Sequence, residues 1–182
     1  MNLKKTVILI GGTGFVGRHI AALLVTNHYS VVVPTRSVAT TRALSLLPGV
    51  RLVETDIHNE VQLKKLMSAV PHCVAVINLV GVLHDQPASP YGKSFSKNHV
   101  ELPAKIVNVM KSLGLRRLIH MSALGADVNG PSMYQRSKGV GETFVQTSGL
   151  DWTIFRPSVI FGEDDSFINL FKKLLKVFPV MP

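Results

Sequence analysis

Thr6-Val7-Ile8-Leu9-Ile10-Gly11-Gly12-Thr13-Gly14-Phe15-Val16-Gly17 is the stretch that decides how this chain folds. Its first five residues form a continuous apolar run, the pattern of a strand buried on both faces, and apolar spacing of three and four from Phe15 onward reads as a helix. Between the two, Gly11 lets the backbone leave the strand in a tight turn. Gly14 removes a side chain where a pyrophosphate must come close, and Gly17 lets the helix pack against the strand. Phosphates then meet a helix N-terminus, whose free N–H groups and dipole favour negative charge. A Walker phosphate loop is excluded, because Arg18-His19 follows the last glycine in place of Gly-Lys-Ser/Thr. The stretch predicts a dinucleotide-binding strand, turn and helix.

The chain has 182 residues, 46% apolar and 17% charged, which describes a globular domain with a sizeable core and excludes a disordered or collagen-like one. No run of eighteen apolar residues occurs, and Met1-Asn2-Leu3-Lys4-Lys5 leads straight into the first strand. A cytoplasmic location is expected, with peripheral attachment at the inner membrane as the variant. Cys73 is the single cysteine, so no internal disulfide can form and a buried structural thiol is the reading. The net charge of +9 is spread over scattered pairs of Lys and Arg without aromatic interleaving, so nucleic-acid binding is not expected. No metal site is expected either.

Apolar runs rich in Val and Ile alternate with segments of helical period, the pattern of an α/β fold with a doubly wound parallel sheet. Strands are predicted near 5–10, 30–35, 50–54, 73–80, 117–122 and 151–156. Helices are predicted over 15–27, 38–47, 60–69, 97–113 and 134–148. The loop from Leu83 to Gly92 carries two prolines and follows the fourth strand, at the edge where ligand contacts gather in such sheets, and it is expected to be mobile without ligand. Residues 1–160 are expected to form the nucleotide-binding domain. Residues 161–182 then open a truncated substrate or partner region, whose segment 166–178 shows an apolar stripe at 167, 170, 171, 174, 175 and 178. That stripe predicts packing on a further region, a membrane-surface or partner contact, or self-association.

The end of the second strand discriminates between nicotinamide cofactors. An acidic residue there would bond the adenosine ribose of NAD, but this chain has Thr35-Arg36-Ser37. Arg36 is a planar, permanently charged donor suited to a 2′-phosphate, which favours NADP(H) over NAD(H). Asp56, just after the third strand, could accept from the adenine amino group with Ile57 against the ring; its structural alternative is to cap the helix that begins near Asn59.

Tyr134 and Lys138 are four residues apart on one predicted helical face, and Ser122 closes the fifth strand. A lysine ammonium and the positive charge of a bound nicotinamide stabilise a phenolate, so such a tyrosine could move a proton to or from a carbonyl or alcohol oxygen that Ser122 holds, with Lys138 bonding the nicotinamide ribose.

These residues, with Asn78-Leu79-Val80-Gly81, Arg156-Pro157-Ser158 and Phe161-Gly162, resemble the extended or atypical branch of the short-chain dehydrogenase/reductase superfamily. Within it, the strings Ile119 to Ala126, Tyr134 to Glu142 and Arg156 to Asp165 are similar to bacterial relatives of the NADPH-binding accessory subunit of respiratory complex I. The resemblance implies strand order 3-2-1-4-5-6 and a dinucleotide along the carboxyl edge of the sheet. It also implies cofactor contacts from Gly11, Thr13, Gly14, Phe15, Val16, Gly17, Arg36, Asp56, Ile57, Leu79, Val80, Gly81, Tyr134, Lys138 and Pro157. The chain departs from the pattern at the active-site asparagine of many such reductases, which counting from Phe95 falls on His99, with Asn98 one position off. Three functions stand open: an NADP(H)-binding accessory or assembly factor of a quinone-linked respiratory complex, a reductase, dehydrogenase or sugar-nucleotide epimerase using Ser122, Tyr134 and Lys138, and an RNA- or membrane-associated scaffold.

Overall fold

A computed structural model of the chain describes residues 4–162. Six strands, β1 Thr6–Ile10, β2 Ser30–Thr35, β3 Val50–Glu54, β4 Cys73–Asn78, β5 Arg117–Met121 and β6 Asp151–Phe155, form one parallel sheet in the order β3-β2-β1-β4-β5-β6. The order reverses between β1 and β4, the switch point where open α/β sheets bind ligands at the carboxyl ends of their strands. Every residue of β1 is buried, as the unbroken apolar run requires of a central strand covered on both faces. Ile8 and Ile10 point into a core with Leu63, Met67, Ile106, Met110 and Val145. Val7 and Leu9 point to the other side, against Ala21 and Leu44. Each such fully buried aliphatic side chain contributes about 1.5–3 kcal/mol of transfer free energy.

The helices are α1 Phe15–Thr26, α2 Arg42–Ser45, α3 Glu60–Ser68, α4 Lys93–Phe95, α5 Leu102–Ser112 and α6 Met133–Gln146. Two differ from the sequence expectation. The helix expected over 38–47 is a 3-10 turn, Ala39–Thr41, followed by the short α2, and Pro48 with Gly49 at positive φ ends it. The helix expected over 97–113 begins earlier, at α4, and passes through a π-helical segment, Ser96–Glu101, before α5. Pro103 accounts for the widening: it has no N–H to give the carbonyl of His99 four residues before it, and its ring displaces that carbonyl. Helix α6 takes up the room, since a Cβ on Gly141 would lie 2.0 Å from the His99 oxygen.

The Leu83–Gly92 loop is held from both sides. Asp85 Oδ2 accepts from the Phe95 N–H at 2.6 Å, and Arg136 Nε donates to the Pro90 carbonyl at 3.0 Å. No helix among the described residues is long and apolar enough to cross a membrane. The 166–178 stripe lies outside the described residues.

Candidate functional site

The glycine turn joins β1 to α1 in the manner the sequence predicts. Gly11 has φ +83°, in the left-handed region, and a Cβ on Gly17 would lie 2.5 Å from both the Gly11 oxygen and the Gly12 Cα, with no side chain able to yield. Gly14 is different: its Cβ would meet only the Gly11 oxygen, at 3.4 Å, so its missing side chain leaves space open in front of α1. Gly12, which sequence reasoning passed over, packs on the sheet, where a Cβ would approach Val33 Cγ1 to 2.8 Å.

Helix α1 begins without a side-chain cap and with no acidic residue in its first turn. By contrast α3 is capped by Asn59 accepting from the Gln62 N–H, and α6 by a full capping box between Ser132 and Gln135. The free N–H groups of α1, beside the space before Gly14, therefore suit an anion.

Arg36 is exposed where β2 ends, and the Thr35 hydroxyl is engaged locally, donating to the Ser37 carbonyl at 3.1 Å. Asp56 does not cap α3. Its Oδ1 accepts from the His58 N–H at 2.9 Å and its own N–H donates to Gln62 Oε1, leaving the cap to Asn59. The side chain stays exposed, and Ile57 beside it is half-buried against the core.

The carboxyl ends of β4, β5 and β6 carry the second group. Asn78 is buried; its Oδ1 accepts from the Val80 N–H at 3.2 Å and its Nδ2 lies 3.2 Å from His120 Nδ1. The Gly81 backbone passes close to Lys138, whose Nζ would stand 3.1 Å from a Cβ there. Ser122 donates its N–H to the Phe155 carbonyl at 2.7 Å and Leu124 donates to the Pro157 carbonyl at 2.8 Å, which brings Pro157 to this edge. The Ser122 hydroxyl is buried and has no hydrogen-bond partner in the structure. A buried hydroxyl without a partner costs about 1–3 kcal/mol, and functional sites are where such groups occur.

Helix α6 presents Tyr134 and Lys138 together, the lysine Nζ 6.0 Å from the phenol ring centroid and donating to the Met121 carbonyl at 3.2 Å. Burial pulls the Lys138 ammonium down to about 8, with Glu142 opposing, so it is still mostly charged at neutral pH. Burial pushes the Tyr134 phenol above its ordinary value. In this structure the Lys138 ammonium bonds the Met121 carbonyl, and desolvation favours the protonated phenol. Such a tyrosine is a proton donor before it is a base.

Asn98 takes no part in this group, since its Nδ2 donates to the Ser94 carbonyl at 2.8 Å. His99 does, with Tyr134 across its ring at 5.4 Å and 90°. It is the position on which the count from Phe95 falls. The open space at Gly14, the uncapped α1, the orphaned Ser122 hydroxyl and the lysine beside Gly81 together fit a dinucleotide laid along the edge of the sheet.

Residues 11–174 match the family model described as NAD(P)H-binding. Among curated relatives, the NADH dehydrogenase (ubiquinone) 1 alpha subcomplex subunit 9, mitochondrial, of Dictyostelium discoideum is 30% identical over 178 residues, covering 96% of this chain and 48% of that protein. The Mus musculus protein of the same name is 32% identical over 167 residues, covering 90% and 42%. The chain thus spans about half the length of these relatives. Among solved structures, the Bordetella bronchiseptica enzyme WbmH in complex with NAD+ superposes with a TM-score of 0.74 at 22% identity, covering 96% of this chain and 64% of that one. That likeness concerns the fold alone, a parallel six-stranded sheet with helices.

Proposed function

This chain belongs to the NAD(P)H-binding family, and on that premise we propose that it binds NADP(H) in preference to NAD(H) and serves as an accessory or assembly component of a respiratory NADH:quinone oxidoreductase. The preference for NADP(H) rests on Arg36, a cation where an acid would select NAD. The respiratory role rests on the relatives, named as subunits of that enzyme at 30% and 32% identity. Gly11, Thr13, Gly14, Phe15, Val16 and Gly17 would hold the pyrophosphate and Arg36 the 2′-phosphate. Asp56 and Ile57 would meet the adenine, and Leu79, Val80, Gly81, Tyr134, Lys138 and Pro157 the nicotinamide half. On this reading residues 1–160 are the nucleotide domain and 161–182 open the region that meets the partner, at the surface of the inner membrane.

The structural role is preferred over a catalytic one because of the relatives, which are named as subunits of a respiratory enzyme. Ser122 favours the second reading, a reductase, because its buried hydroxyl has nothing of the chain to bond and could hold a carbonyl oxygen. NADP(H), when bound, supplies or takes up a hydride. The residues' own part would be a hydrogen bond from Ser122 and a proton from Tyr134 to that oxygen, with Lys138 keeping the phenol site positive. Tyr134→Phe separates the two readings: a structural subunit keeps its NADPH affinity and its complex assembles unchanged. A reductase would lose roughly 10²–10⁴-fold in turnover, and a Tyr134-dependent carbonyl reduction would overturn the structural reading.

A further inference from the structure

His99 is buried to 1% exposure in the π-helical segment before Pro103, and every polar atom of its ring is engaged. Nε2 accepts from the Val82 N–H at 3.0 Å. Nδ1 lies 2.9 Å from Ser137 Oγ, and the Ser137 hydroxyl itself donates to the Tyr134 carbonyl at 2.9 Å. A hydroxyl has one proton to give, so the Ser137 oxygen accepts from the ring, and His99 carries its proton on Nδ1. The ring also stacks on Phe95 at 5.0 Å and 19°, and Tyr134 stands edge-on to both rings, at 90° to His99 and 72° to Phe95.

These contacts join two parts of the site that are distant in sequence. Val82 continues the Gly81 backbone, which passes Lys138; Ser137 sits on α6 between Tyr134 and Lys138. We infer that His99 is a positioning residue, a strut between the Gly81–Val82 loop and the Tyr134 helix that presets the nicotinamide half of the site. The inference rests on the dinucleotide reading above. The groups facing the ring are Lys138 and Tyr134 from α6, His120 from β5 and Asp85 from the loop, and burial first, then Lys138 and His120, lowers the imidazole to about 3 and holds it neutral. The neutral state is needed, because an imidazolium would turn an N–H toward the Val82 N–H.

His99→Phe keeps an aromatic ring between Phe95 and Tyr134 and removes both hydrogen bonds. NADPH and 2′-phospho-ADP-ribose, which is NADPH without its nicotinamide, are titrated against the full chain. The strut predicts about tenfold weaker NADPH binding, the worth of one net hydrogen bond, with 2′-phospho-ADP-ribose unaffected. Equal weakening of both ligands, or of neither, overturns it, since a residue that only supports the fold does not tell the halves of the ligand apart. If the unaltered protein binds neither ligand, the dinucleotide reading itself is what fails. Should His99→Phe not fold, Ser137→Ala tests the same link through the acceptor alone, with the same discrimination between the ligands. In the unaltered protein, nitrogen-15 correlation spectra should find the His99 proton on Nδ1 and no titration of the ring between pH 5 and 8; a proton on Nε2, or a midpoint near 6.5, contradicts the strut.

Discussion

Mild acid should destabilise this protein, because unfolding lets its buried imidazoles take up protons. His99 and His120 are both held at about 3, His120 by burial and then by Lys138, His99 by burial, Lys138 and His120. In the unfolded chain each titrates near the ordinary 6.5. Between about 6.5 and about 3 the unfolded chain therefore binds protons that the folded chain does not, and stability falls as pH falls through that window. Each imidazole contributes a slope approaching 1.4 kcal/mol per pH unit, so lowering the pH from 7 to 5 removes about 2 kcal/mol for each and about 4 kcal/mol for the pair. Against a typical total of about 5–15 kcal/mol, that is a large fraction. Lys138 does not blur the result: its lowered value makes stability rise between about 8 and 10.5, outside this range. Urea unfolding at pH 7, 6 and 5 measures the slope, to which the lowered His58 also adds, and His120→Phe should reduce the pH 7 to 5 difference by about 2 kcal/mol. Equal stability at pH 7 and 5, or an undiminished slope in the variant, would refute the reasoning.

Arg36→Ala should remove most of any preference for NADPH over NADH in calorimetric titrations while leaving NADH affinity nearly unchanged, because it deletes only a charge-assisted bond to the 2′-phosphate; equal affinities in the unaltered protein would sink the NADP assignment. Arg156 forms a bidentate pair with Glu142, whose side chain is 3% exposed against 49% for the arginine. Arg156→Ala strands a buried carboxylate and should lower stability by about 1–2 kcal/mol after allowance for the exposed guanidinium, and Glu142→Gln by less; a larger loss from Glu142→Gln would reverse that account.

The sheet was legible because its signals are local: unbroken apolar strands such as β1, glycines where a turn must pass close to backbone, and helical period between them. The pairing of Tyr134 with Lys138 was legible for the same reason, as a four-residue spacing on one helix. What escaped depends on packing between distant segments. The bonds that join His99 to Val82 and to Ser137, both far from it in sequence, are one case. Asp56 and Asn59 are both good cap residues, and the bond from the Asp56 N–H to Gln62 leaves the cap to Asn59. The rise of the Tyr134 phenol above its ordinary value is likewise a property of burial, which spacing does not carry.

The account stands on a dinucleotide entering the space in front of Gly14. That glycine has φ −74°, which any residue tolerates, and its Cβ would touch only the Gly11 oxygen, so Gly14→Asp should fold normally while filling the space and setting a carboxylate where phosphate belongs. Calorimetric titration of NADPH into the unaltered chain and into Gly14→Asp, with melting curves for both, is the measurement. The account predicts saturable binding to the unaltered chain and none to the variant at equal thermal stability; no binding to the former, or undiminished binding to the latter, would contradict it.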